Sequence, residues 1–138
     1  MAMKMKVLHY PEKGKIVTFT NALASEYQQK ADKIPPAYDC SRERLLFAGI
    51  STGKYIDSSL SLFLRGLNRD KVQNVAIFTD AADSTIEEMK AMIAEAGATV
   101  LDVKKVKGSF LPFLTGVKPE EMADFKAWAE GVVKSLQD

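Results

Sequence analysis

Two stretches, RLLFAGI (44–50) and VQNVAIFT (72–79), are largely apolar runs rather than alternations of apolar and polar residues. A strand that is apolar on both faces must be covered on both faces, and strands of this kind belong to parallel sheets with helices above and below. KVLHY (6–10), bounded by Pro11, and ATVLDV (98–103) read the same way. Between these runs apolar residues recur three or four positions apart.

Ile16, Phe19, Leu23 and Tyr27 lie on one helical face, and the spacing predicts a helix reaching about Ala31. Pro35 and Pro36 forbid a helix and leave at most a clipped edge strand over 34–38. Ile56, Leu60, Phe63, Leu64 and Leu67 predict a second helix, stopped by Gly66 or Asn68. Ser84 followed by Glu87 has the spacing of a capping box, opening a helix that ends at about Ala96 with Gly97 as its left-handed terminus. KPEEMADFKAWAEGVVKSLQ (118–137) predicts a last helix with Pro119 in its first turn. The order βα-β-βα-βα-βα gives an α/β fold, a doubly wound five-stranded parallel sheet, with residues 1–138 as one domain.

Composition narrows the classes of partner. The 138 residues are 46% hydrophobic and 27% charged, as in ordinary globular chains. A formal net charge of +1 gives no electrostatic reason to expect nucleic acid or an anionic membrane. No run approaches the length of about 18 apolar residues that a spanning helix needs, and the N-terminus lacks the apolar core of a signal peptide. One cysteine, Cys40, excludes an internal disulfide and fits a reducing compartment, so a cytoplasmic location is expected. One histidine, His9, and Cys40 do not make a zinc shell. A Cys–His catalytic pair is disfavoured because His9 falls within a strand and Cys40 in a polar turn.

In a doubly wound sheet, ligands bind beyond the carboxyl ends of the strands. The turns at those ends are PEKG (11–14), STGKY (51–55) and DAADS (80–84). PEKG feeds a helix N-terminus, whose free N–H groups favour an anion; Gly14 permits close approach, while Lys13 and Lys15 add positive charge. Glu12 opposes an anion unless it points away. The alternative is a plain turn with solvated lysines. STGKY offers hydroxyls, a glycine and Tyr55, which would suit a planar heterocycle; alternatively Ser51 or Thr52 caps the next helix. DAADS could meet a ligand through its backbone, hold a divalent cation on Asp80 and Asp83, or simply stay solvated. Met89, Met92 and Trp128 are expected in the core, Lys104, Lys105 and Lys107 at a solvated strand end, and Phe110, Leu111, Phe113 and Leu114 in an apolar cluster.

Three segments together make the chain resemble the flavodoxin family, in its short, single-domain form. KVLHYPEKGKIVTFTNALA is similar to the first strand, phosphate loop and first helix; RLLFAGISTGKYIDSSLSLFL to the third strand, first ring loop and following helix; KGSFLPFLTGVKPEEMADFKAWAEGV to the closing pattern. The resemblance implies FMN, its phosphate at Glu12, Lys13, Gly14, Lys15 and Ile16 with Thr18 nearby. It implies the ring between Ser51, Thr52, Gly53, Lys54 and Tyr55 on one side and Thr79, Asp80, Ala81 and Asp83 on the other. The implied role is single-electron transfer to a redox partner protein, rather than an enzyme with its own substrate.

The phosphate turn departs from the family pattern of a hydroxyl-rich loop. It is one residue shorter and reads Pro11-Glu12-Lys13-Gly14-Lys15-Ile16, and only Gly14 carries over directly. DAADS has neither the glycine nor the aromatic of the family's second ring loop, which leaves Tyr55 as the stacking residue. These departures support a second reading, a flavin-free interaction or scaffold domain that keeps the fold.

Overall fold

The computed structural model describes residues 3–12, 14–53, 55–107 and 116–137. The apolar cluster at 110–114 and Lys13 and Lys54 lie outside the described residues. The elements are β1 (Met5–Tyr10), α1 (Lys15–Glu26), β2 (Asp32–Lys33), β3 (Glu43–Ile50), α2 (Ser58–Arg65), β4 (Val72–Thr79), α3 (Asp83–Ala96), β5 (Thr99–Lys105) and α4 (Pro119–Ser135). All strands are parallel, in the order β2-β1-β3-β4-β5. This is the flavodoxin-like three-layer sandwich that the alternation of apolar runs predicts.

Period-two alternation within the buried strands sorts the core into two layers. Leu46, Ala48 and Ile50 of β3 join Leu60 and Leu64 of α2 and Ile86, Met89 and Ile93 of α3 on one face. Leu45 and Phe47 join Ile16, Phe19 and Leu23 of α1 and Phe125, Ala129 and Val133 of α4 on the other. Phe125 centres that second layer, its ring 4.8 Å from Phe19, 4.9 Å from Phe78 and 5.9 Å from Trp128. Gly49 lies beneath Phe78: a Cβ there would sit 2.4 Å from the Phe78 ring and 2.9 Å from Ile16. The absence of a side chain at 49 is what admits the phenylalanine.

Several ends differ from the sequence expectations. α1 stops at Glu26, not near Ala31, because Gln28 takes a left-handed conformation (φ 56). Gln29 N–H donates to Ala24 O (2.7 Å) and Gln28 N–H to Ser25 O (3.3 Å), the paired bonds of a Schellman terminus. β2 lies at Asp32–Lys33, before the prolines rather than over 34–38, and pairs only through Leu8↔Asp32 and His9↔Lys33. Asp57, not Ser51 or Thr52, caps α2 by accepting from Leu60 N–H (3.1 Å). The Ser84–Glu87 capping box does not form; α3 opens two residues earlier, with Ala82 rather than Ser84 as its N-cap. Gly97 does supply the left-handed end of α3 (φ 119). On β5 the register slips opposite Val75 and Ala76, which pair with Val100 and Asp102, so Leu101 is an extra residue in the edge strand.

Candidate functional site

The three turns assemble at the carboxyl ends of β1, β3 and β4, which are adjacent strands. Ser51 joins them. Its N–H donates to Tyr10 O at 2.7 Å, holding the end of β3 to the end of β1. Its hydroxyl donates to Asp80 Oδ2 at 2.7 Å, holding β3 to the turn after β4.

In the first turn, Gly14 has φ 109 and ψ −171, a backbone conformation open to glycine and strained for other residues. It is the N-cap of α1, with no side-chain cap bond and no acidic residue in the first turn of the helix. The positive end of the α1 dipole is therefore not neutralised from within its own turn. The charged side chains expected around it are turned elsewhere. Glu12 pairs with Lys33 at 3.1 Å, both well exposed, so its carboxylate is engaged towards β2. Lys15 reaches Glu121 of α4, its Nζ 3.1 Å from Oε2 and 3.4 Å from Oε1. That hydrogen bond holds the Glu121 carboxyl below the usual glutamate range. Ile16 has its side chain in the core, so only its backbone borders the turn. Thr18 is half-buried in the first turn of α1.

In the second turn, the Thr52 hydroxyl donates to Tyr55 O at 2.8 Å and closes the loop on itself. Gly53 faces open space, and Tyr55 is 85% exposed, so its ring forms no part of the core. In the third turn, buried Thr79 accepts from Ala81 N–H through Oγ1 (3.1 Å), and its carbonyl accepts from Val106 N–H (2.9 Å). Ala81 is buried. Asp83 is exposed and pairs with Lys105 at 2.7 Å. Asp80 differs from Asp83: Oδ2 holds Ser51, while Oδ1 is buried with no hydrogen-bond partner among the described residues.

The two aspartates thus serve separate partners, and no cluster of three or more metal-ligating side chains occurs among the described residues. Lys105 lies exposed at the strand end, as expected, and also pairs with Asp83, whereas Lys104 is half-buried and pairs with Asp124. Lys107 is exposed. Met89 is fully buried, while Met92 and Trp128 pack partly buried against the core. Cys40 lies buried near Lys6 and Glu43, towards the amino end of the strands, where burial pushes its thiol up to about 11. His9 sits towards the other end of β1, with Nδ1 2.9 Å from Pro11 O. The two do not form a nucleophilic pair. Away from the turns, a groove of about 470 Å³ follows the seam of α1 and α4, lined by Leu23, Glu26, Tyr27, Ala123 and Glu130 among others.

Glu121, Lys105 and Asp57 are the residues at or beside these turns that sequence reasoning missed. Only Asp57, an aspartate three residues before an apolar helical position, carried a local signal. No family model, curated protein or solved structure matches the chain.

Proposed function

We propose that the chain binds FMN at these three turns and carries single electrons between redox proteins. The observation that carries this reading is the amino terminus of α1: Gly14 in a glycine-favoured conformation, no capping side chain and no acidic first-turn residue. Such a terminus suits a phosphate held by backbone N–H groups. The other turns fit the ring. Gly53 leaves space beside Tyr55, whose exposed face can stack on a planar heterocycle, and Asp80 Oδ1 offers an unused acceptor.

In this reading the residues at 14–16 hold the phosphate through main-chain N–H groups, and Tyr55 covers one ring face. Ser51 keeps the β3 and β4 turns at a fixed separation. The flavin would supply one-electron redox chemistry, and the protein its orientation and electrostatic surroundings. Purified protein should be yellow, or should turn yellow on addition of FMN, and should retain a visible flavin band through gel filtration. A colourless protein that takes up no FMN removes the proposal.

One observation favours a second reading, a flavin-free interaction domain. Lys15, the first residue of α1, is held by Glu121, and the turn 11–14 supplies no hydroxyl in its place. That reading expects no flavin uptake under any loading condition.

A further inference from the structure

The arginines of the chain, Arg42, Arg44, Arg65 and Arg69, all stand at the pole opposite the three turns. Arg42 and Arg44 lie at the entry to β3, Arg65 closes α2, and Arg69 lies in the turn leading into β4. Backbone bonds join these entries: Arg42 N–H donates to Asp70 O at 2.8 Å and Glu43 N–H to Lys71 O at 2.9 Å. All four arginines are exposed. Every ion pair among the described residues is made by a lysine. No arginine takes part in one, although the guanidinium is the better fork for a carboxylate. Arg44 donates to Leu136 O (2.9 Å) and Arg69 to Thr99 Oγ1 (3.3 Å), both neutral acceptors. Arg42 and Arg65 have no side-chain hydrogen bond among the described residues. Nearby carboxylates do not serve them: Asp39 pairs with Lys71 at 3.0 Å, Glu43 is buried, and Asp70, though exposed, pairs with none of the four. Arg42 is also held in a left-handed backbone conformation (φ 54), which a long side chain adopts at a cost.

We propose that this pole docks a carboxylate-rich segment of a partner protein, which enters the guanidinium forks of Arg42 and Arg65. Lys4 and Lys6, whose ammonium groups donate to the carbonyls of Ser41, Tyr38 and Asp39, add positive charge beside them. Tyr38, 84% exposed, supplies an aromatic surface next to these cations. A phosphate polymer would meet the same forks, but it is drawn by the charge of the whole chain, which is only +1. A short acidic segment needs only the local excess of cations, and the planar forks fix its register. The docking is independent of flavin binding, because the three turns lie at the other end of the sheet.

The test measures, by fluorescence anisotropy, binding of a labelled oligoglutamate peptide to the full chain. A single-stranded oligonucleotide of equal charge and vesicles containing phosphatidylserine are compared at the same ionic strength, and the peptide should bind most tightly. Replacing Arg42→Gln and Arg65→Gln together should weaken the peptide about tenfold. Arg42→Lys with Arg65→Lys keeps the charge but loses the forks, and should weaken it several-fold. Lys90→Gln, on α3 where Lys90 pairs with Glu87, should leave it unchanged. Circular dichroism and thermal melting establish folding, and the single variants carry the comparison if a double one is unfolded. A wild-type chain that does not bind the peptide overturns the proposal, as does a glutamine pair that binds like the wild type. Full binding by the lysine pair overturns the role of the forks, and tighter binding of the oligonucleotide or the vesicles overturns the choice of a protein partner.

Discussion

Lys15 Nζ lies 3.1 Å from Glu121 Oε2, joining the first residue of α1 to the first turn of α4 across 106 positions of sequence. The pair sits at the mouth of the candidate anion site, with side chains 13% and 26% exposed. It fastens two helices of one layer, and it also withholds a cation from the amino terminus of α1.

Removing the carboxylate should release that cation. Glu121→Gln is expected to tighten binding of FMN, and of inorganic phosphate as a simpler probe, by about tenfold, the worth of one charge-assisted contact. The same change should cost up to about 1 kcal/mol of stability. Isothermal titration and thermal melting on one pair of proteins check both, and an unchanged phosphate affinity would show that Lys15 does not reach the site.

Acid should loosen the same contact. Glu121 is held below the usual glutamate range by the hydrogen bond from Lys15, and Asp39 below the usual aspartate range by the hydrogen bond from Lys71, 3.0 Å away. A carboxyl whose folded pKa is depressed stabilises the fold above its unfolded pKa, and that contribution fades as pH falls through the folded value. The melting temperature should therefore decline below the ordinary carboxylate range. In Glu121→Gln the decline should be shallower, and a decline of unchanged steepness would assign it to other groups.

Gln28 holds a left-handed helix terminus usually filled by glycine (φ 56). Gln28→Gly should raise stability by up to about 1 kcal/mol, the relief of the left-handed strain less the extra freedom of glycine in the unfolded chain. Urea denaturation reads this directly, and a loss of stability would contradict it.

Gly49→Ala should be among the most damaging single-methyl additions to the chain. The new carbon would lie within 2.4 Å of Phe78 and 2.9 Å of Ile16, and Phe78 is itself pinned against Phe125. Overpacking of this kind costs about 1–3 kcal/mol. Phe78→Leu in the Gly49→Ala background should recover part of it, which a double-mutant cycle would reveal as coupling.

The Cys40 thiol, pushed up to about 11 by burial, should react slowly with a thiol reagent in native protein at about pH 8 and readily once unfolded. Fast native labelling would mean that the residue is exposed in solution.

The parallel sheet was legible because unbroken apolar runs such as 44–50 admit few other environments, and β4 falls on the expected 72–79. Gly97 was legible as a helix stop because glycine is the residue that conformation favours. The end of α1 was not, since Gln28 carries none of that signal and its conformation is imposed by the terminus around it. Within the site, Gly14 and the three turns could be located by counting strand ends. The pairings Glu12–Lys33, Lys15–Glu121 and Ser51–Asp80 could not, because each is created by strands or helices meeting in space. Those pairings decide which charges the turns present, so sequence located the turns better than it described their chemistry.

The sheet's two borders also bear on how the chain behaves when crowded. A two-residue β2 exposes little backbone for another molecule to zip onto, and the extra residue at Leu101 breaks the even spacing that an incoming strand would have to match on β5. Lysines at 104 and 105, tied to acidic neighbours, punctuate that margin with charge. The same irregularities that weaken pairing inside the molecule make its rim a poor template for sheet-to-sheet fibre growth, and so favour a chain that remains dispersed at high concentration.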